Sequence, residues 1–188
     1  MSDSPLARGA TGPEALGWPG ARWVLLRYFT ILTNLLTAGV TPRIARDRAP
    51  SAETLAGVTL SIAMVGAVYH ALLAPEVALQ GAAALADVGF HTLVPAGALL
   101  WWVVWGDKGL RLASVPRWLI WPFAHCLYAL LRGAADGRYP YFVLDVGQFG
   151  AGRAALNITG LLVAFALAGL TIWTCAALLQ RRASAARI

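Results

Sequence analysis

The chain has 188 residues, 59% of them hydrophobic and 13% charged, with a mean hydropathy of +0.64, values that exclude an ordinary water-soluble domain. The formal net charge of +6 and a pI near 10.0 would suit a nucleic-acid binder. The placement of the arginines gives that charge a membrane-surface explanation instead, and no nucleic-acid partner is expected.

In chain order, Met1–Gly20 is rich in Gly, Pro, Ala and Ser with few bulky apolar side chains and reads as a disordered polar leader. Apolar stretches follow at Arg22–Val40, Thr54–Ala74, Val88–Trp105, Trp118–Leu131 and Ala154–Leu179. Several approach or exceed the ~20 residues that cross a bilayer. The predicted fold is an all-α polytopic transmembrane helix bundle of about five helices. It forms a single domain over residues 21–180, closed by a basic cytoplasmic tail over residues 181–188. The fourth stretch is short and carries Pro122, which predicts tilting or a kink. Arg27 lies inside the first stretch and the leader before it is long, which argues against a signal peptide there. Cys126 and Cys175 fall at membrane depth and read as inert small hydrophobes. Zinc-ligand spacing, a P-loop and a dinucleotide fingerprint are absent from the sequence, and neither a cofactor nor a metal is expected.

Arg43, Arg46 and Arg48 fill the first loop, Lys108, Arg111 and Arg117 the third, and Arg181, Arg182 and Arg187 the tail, whereas the second loop carries Glu76 and Asp87. By the positive-inside rule the first and third loops and the C-terminus are cytoplasmic and the N-terminus is outside; Arg132, Arg138 and Arg153 run against this. Bacterial inner membrane is the expected location. Trp101, Trp102, Trp105, Trp118 and Trp121 read as an aromatic belt on the cytoplasmic side.

Polar residues inside the spans are the candidates for chemistry. Arg27, Thr30, Asn34 and Thr37 recur at helical spacing and should form one stripe facing the bundle. Asn34 and Thr37 are explained by hydrogen bonds between helices, and Arg27 by snorkelling to the interface. His91 is ionisable and sits in an apolar run, which makes it a functional-site candidate. Asp87 precedes it by one helical turn, on the same face, and can orient the imidazole. Thr30, His91 and His70, the last with Tyr69 beside it, are all expected near the outer side. A hydroxyl, an imidazole base and an acidic orienter are the components of nucleophilic catalysis, though spacing alone does not show that they meet and favours a structural or proton-relay histidine.

Three segments, Arg27-Tyr-Phe-Thr30-Ile-Leu-Thr-Asn34, Phe90-His91-Thr-Leu-Val-Pro95 and Arg138-Tyr-Pro-Tyr141-Phe-Val-Leu-Asp145-Val-Gly147, resemble in order those of the androgen-induced gene 1 family of multi-pass membrane proteins. The resemblance runs from Arg22 to Leu179. It implies a membrane threonine hydrolase that cleaves fatty acid esters of hydroxy fatty acids, with Thr30 as nucleophile and His91 as base. Membrane lipids and a lipid ester are the implied partners. The family has a further helix before the one bearing the threonine, where this chain has its polar leader. The expectation is that the helix has been lost or that the start is incomplete. Animal members tend to have Asn at the position of Asp87, so a third catalytic member rests on spacing, not on the resemblance.

The implied chemistry has His91 take the Thr30 proton as the hydroxyl attacks an ester carbonyl. Asn34, Tyr69 and Thr92 are candidate donors to the developing oxyanion. Arg27 is either a clamp for a lipid carboxylate or an interfacial anchor. The Tyr139–Gly147 segment reads as a loop at the outer mouth, with Asp145 capping a helix or pairing with Arg153. Two other classes compete. His70, His91 and His125 on separate helices could supply haem ligands for electron transfer, and the polar stripe could line the path of a non-catalytic transporter or scaffold.

Overall fold

The computed structural model describes residues 17–74 and 79–185. Among these the chain is all helix without a strand: α1 (Gly17–Leu25) and α2 (Phe29–Ile44), α3 (Ala52–Leu73) and α4 (Gly81–Trp105), α5 (Ile120–Asp136) and α6 (Val146–Ala185). The all-α bundle expected from composition is the observed architecture, and its apolar helices make this a membrane protein. Three of them, α3, α4 and α6, are long and apolar enough to cross a bilayer, and α1 with α2 adds a fourth span if that bent pair counts as one. The predicted fourth stretch, Trp118–Leu131, is realised as the 17-residue α5. Pro122 falls in its first turn, where the missing N–H removes no helical bond, so the proline starts this helix and does not kink it.

Part of the leader reading, residues 1–16, lies outside the described residues; Gly17–Gly20 is already helical. Likewise residues 181–185 of the tail continue α6, and residues 186–188 lie outside the described residues.

The largest departure concerns Arg22–Val40, which is two helices meeting at 93° and not one. Breaking a helix at membrane depth frees carbonyls that lipid cannot satisfy. Here α5 satisfies them: Arg132 donates to Trp23 O at 3.0 Å, the Tyr128 hydroxyl to Leu26 O at 3.2 Å, and His125 Nε2 bonds Arg27 O at 3.1 Å. The Arg132 guanidinium also lies 3.8 Å from the centre of the Trp23 ring. Arg27 therefore leaves the stripe that begins with Thr30.

The helix at the centre is α3, whose spanning window is 56% buried against 11% for α4. Ala56, Leu60 and Met64 pack with Trp102, Val115, Trp118, Phe165 and Ile172 in the main core cluster. Gly57 lets Trp118 lie on α3, since a β-carbon there would come within 2.7 Å of the indole, whose Nε1 donates to Glu53 O at 2.8 Å. Trp102 and Trp118 are thus core residues and not belt residues, and Trp121 donates to the Thr33 hydroxyl at 3.0 Å. Of the expected belt, Trp105 is the exposed member. At the same end Lys108 folds over Trp102 and donates to Trp102 O at 2.7 Å, closing the C-terminus of α4, and burial pushes its ammonium down from its ordinary value. Arg111 pairs with Glu53 at 2.8 Å there. The opposite end carries Thr30, Tyr69, His91, Asp136 and Tyr141, joined by the contacts described next.

Candidate active site

Two wide helical turns, Tyr69–Leu73 in α3 and Gly89–Leu93 in α4, interrupt otherwise regular helices at this end. Such i→i+5 turns recur at functional sites. The second has a visible cause, because Pro95 has no N–H to offer the His91 carbonyl and its ring crowds that carbonyl. The freed carbonyl faces α3 at Gly66, where a β-carbon would come within 2.9 Å of it. Glycine is required by this close approach, and it brings the two wide turns side by side.

Their meeting assembles a linear constellation. The Thr30 hydroxyl is 3.2 Å from His91 Nε2. On the far side of the ring, His91 Nδ1 is 2.9 Å from Asp87 Oδ1 and 3.2 Å from the Asp87 carbonyl. Two acceptors at Nδ1 assign the proton to that nitrogen and leave Nε2 as the acceptor for the Thr30 proton. Tyr69 fixes both partners: its ring stacks on the imidazole at 3.9 Å between centroids and 11° between planes, and its hydroxyl donates to Asp87 Oδ2 at 2.5 Å. The imidazole is thus held in tautomer and in plane, as a general base requires.

Thr30 lies in the first turn of α2, directly after the bend. The N-terminal N–H groups of that turn have no helical acceptor, and the helix dipole favours negative charge there. The Phe29 N–H donates to the Tyr141 hydroxyl at 3.0 Å, which sets that phenol beside the first turn of α2. Beyond Thr30 opens an apolar cavity of about 550 Å³, lined by α3, α5, α6 and the Tyr141–Leu144 segment, of the size that holds a small lipid or drug-sized ligand. Leu72 and Leu156 lie on its lining and are 53% and 62% exposed, so the cavity reaches the lipid-facing surface between α3 and α6.

The remaining expectations divide. Asn34 does sit beside Thr30, but it donates to Thr30 O at 2.9 Å and Phe90 O at 3.4 Å. Thr37 bonds Thr33 O on its own helix at 2.9 Å, so it is not a link between helices. Arg27 neither snorkels nor waits for a lipid carboxylate: it is buried, paired with Asp136 and bonded to the Arg138 carbonyl. The guanidinium in turn holds the Asp136 carboxyl below the usual carboxylate range. Asp145 caps α6, accepting from Gln148 N at 3.0 Å. The three histidines have separate partners, His70 with Thr92 at 3.0 Å, His91 with Thr30 and His125 with the Arg27 carbonyl. None of these contacts joins two imidazoles on one ligand position. Among the described residues no three His, Cys, Asp or Glu side chains come together as a metal-holding group.

Tyr141, Asp136 and Asn157 join the site without being singled out by sequence pattern. Asn157 donates to Val143 O at 2.8 Å and lines the cavity, and an amide inside the run Ala154–Leu179 was the available signal. Asp136 was signalled by the need of a buried Arg27 for a counter-charge. Tyr141 lies in the third of the resembling segments, but nothing there singles out its side chain, since tyrosines at a membrane boundary are ordinary. No protein-family model matches the chain, and neither a curated protein nor a solved structure matches it.

Proposed function

We propose that this protein is a membrane-embedded threonine hydrolase of lipid esters, as the resemblance to the androgen-induced gene 1 family implies. The observation that carries the reading is the aligned Thr30–His91–Asp87 chain, 3.2 Å and 2.9 Å long in its two steps, whose Thr30 lies on the lining of an apolar cavity. His91 Nε2 removes the Thr30 proton as the oxygen bonds to the ester carbonyl carbon, and the carbonyl electron pair moves onto its oxygen. The tetrahedral species collapses, the carbon–oxygen bond to the alcohol breaks, and His91 returns the proton to the leaving alkoxide. Water then repeats the sequence on the acyl-threonine with His91 again as base. Asp87 stabilises the imidazolium in both halves. The acyl chain lies in the cavity and enters laterally from lipid past Leu72 and Leu156.

We further infer a bacterial inner-membrane location with the site on the outer side and the C-terminus cytoplasmic. The support is that the site gathers at the end of the bundle opposite the Glu53–Arg111 and Glu53–Arg117 pairs and the arginine-rich first loop. The test is labelling by a fluorophosphonate probe, comparing wild type with Thr30→Ala and His91→Ala. Labelling and esterase activity are expected to vanish in both variants; labelling that survives Thr30→Ala overturns the reading.

A further inference from the structure

A threonine hydrolase needs a donor for the oxyanion as well as a base, and the geometry points to Tyr141. We propose that the Tyr141 phenol is the catalytic hydrogen-bond donor to the oxyanion formed on Thr30 attack. The inference rests on the hydrolase reading above and extends it to a residue on the loop between α5 and α6.

The donors suggested by sequence are all committed. Both hydrogen-bond contacts of the Asn34 amide are to backbone carbonyls, Thr30 O and Phe90 O. The Tyr69 proton goes to Asp87. The Thr92 hydroxyl is paired with His70, and Thr92 is not among the residues lining the cavity. Tyr141 differs on each count. Its ring lines the cavity together with Thr30, and its oxygen is held by the N–H of Phe29, the residue next to Thr30. Its one hydrogen bond through that oxygen to a backbone N–H, from Phe29 at 3.0 Å, uses a lone pair and leaves the phenolic proton available. Accepting from an N–H at a helix N-terminus polarises the O–H and makes it a stronger donor.

The phenol is also held in place before substrate arrives. Its ring meets Tyr28 edge-on at 5.9 Å and 85°, and Tyr139 packs so closely on Gly133 that no side chain larger than hydrogen fits there, tying the loop to α5. A donor that does not reorganise during reaction is what makes such stabilisation effective. Burial raises the phenol above its ordinary acidity range, so it stays protonated at neutral pH.

The test uses full-length protein in detergent micelles with a p-nitrophenyl ester and a trifluoromethyl ketone, which adds a nucleophilic hydroxyl to give a stable tetrahedral oxyanion. Tyr141→Phe keeps the ring and is expected to lower kcat by about 10²- to 10³-fold with KM little changed. Its affinity for the ketone should fall by a similar factor. An unchanged kcat or unchanged ketone affinity overturns the proposal. Should Tyr141→Phe fail to fold, 3,5-difluorotyrosine at position 141 keeps the ring and hydroxyl but ionises at lower pH. Since a phenolate cannot donate, kcat should then fall at a pH where wild type keeps its rate, and an unmoved profile overturns the proposal. Wild-type protein that neither hydrolyses the ester nor is labelled at Thr30 refutes the hydrolase reading itself, which separates the two failures.

Discussion

Asp87 serves two donors at once, and replacing it by Asn tests whether the site works as a unit. Its Oδ1 lies 2.9 Å from His91 Nδ1 and its Oδ2 accepts from the Tyr69 hydroxyl at 2.5 Å. An amide has one acceptor oxygen, so in Asp87→Asn either His91 or Tyr69 must face an NH₂ group. The variant also loses the charge opposite the imidazolium. Two charges about 4 Å apart at an effective dielectric of about 20 interact by about 4 kcal/mol. The side chains of His91 and Asp87 are 15% and 18% exposed, which screens part of this. A loss of about 2–3 kcal/mol corresponds to roughly 30- to 150-fold in kcat, less than the ~10⁴-fold of a Ser–His–Asp triad driven into the wrong tautomer. Tyr69→Phe in the wild-type background should lower kcat by less than about tenfold, because the charge remains. In the Asp87→Asn background the same change should raise kcat several-fold, since the amide oxygen is then free to turn towards Nδ1. The assay is kcat for a p-nitrophenyl ester in micelles, with folding checked by near-UV circular dichroism. Wild-type kcat in Asp87→Asn, or multiplicative losses in the double variant, would overturn the account of a shared carboxylate.

Gly66→Ala should separate the two wide turns, because the new methyl meets the His91 carbonyl at 2.9 Å and backbone cannot yield cheaply. A loss of about 1–3 kcal/mol of stability is expected, together with a fall in kcat larger than that of Gly160→Ala, and equal effects would refute it. Gly160 lines the cavity with open space where a side chain would go, so Gly160→Leu should fill the acyl site. Excluding about three methylenes at ~0.8 kcal/mol each predicts roughly 50-fold lower kcat/KM for a long-chain ester, with a butyryl ester little affected; equal losses on both would count against the cavity as the acyl site. The Asp136 carboxyl titrates below its ordinary range beside Arg27. Its contribution to stability is therefore complete above the ordinary carboxylate value of about 4 and is lost as pH falls through the depressed value. Asp136→Asn should lower Tm at neutral pH and flatten its decline on acidification, as followed by thermal melts; parallel pH profiles would exclude the pairing.

The bundle and the pair Thr30 and His91 were legible because each depends on local pattern: apolar runs of bilayer length, and polar side chains where lipid tolerates none. Asp87 was legible for the same reason, as it lies one turn from His91. What was not legible depends on contacts across the fold. The bend before Phe29 has neither proline nor glycine; it exists because His125, Tyr128 and Arg132 on α5 satisfy the carbonyls it frees. Hydropathy reads Trp102 and Trp118 as interfacial, and only the glycine at position 57 and the packing of α3 make the second of them core. Arg27 found a carboxylate 109 positions away, a distance over which a sequence pattern carries no information.

The paired wide turns determine what kinds of change this chain tolerates. Each is a helix carrying one surplus residue, so deleting a single residue within Tyr69–Leu73 would heal the backbone into an ordinary helix, and a deletion within Gly89–Leu93 would shift the register of everything beyond it. Every side chain beyond the deletion would then turn by about 100° relative to its neighbours. A helix mended in this way gains regularity while His91 and Tyr69 lose their alignment. For these two segments length is therefore a stricter requirement than composition, and variation that preserves register can be wide where variation in residue count cannot.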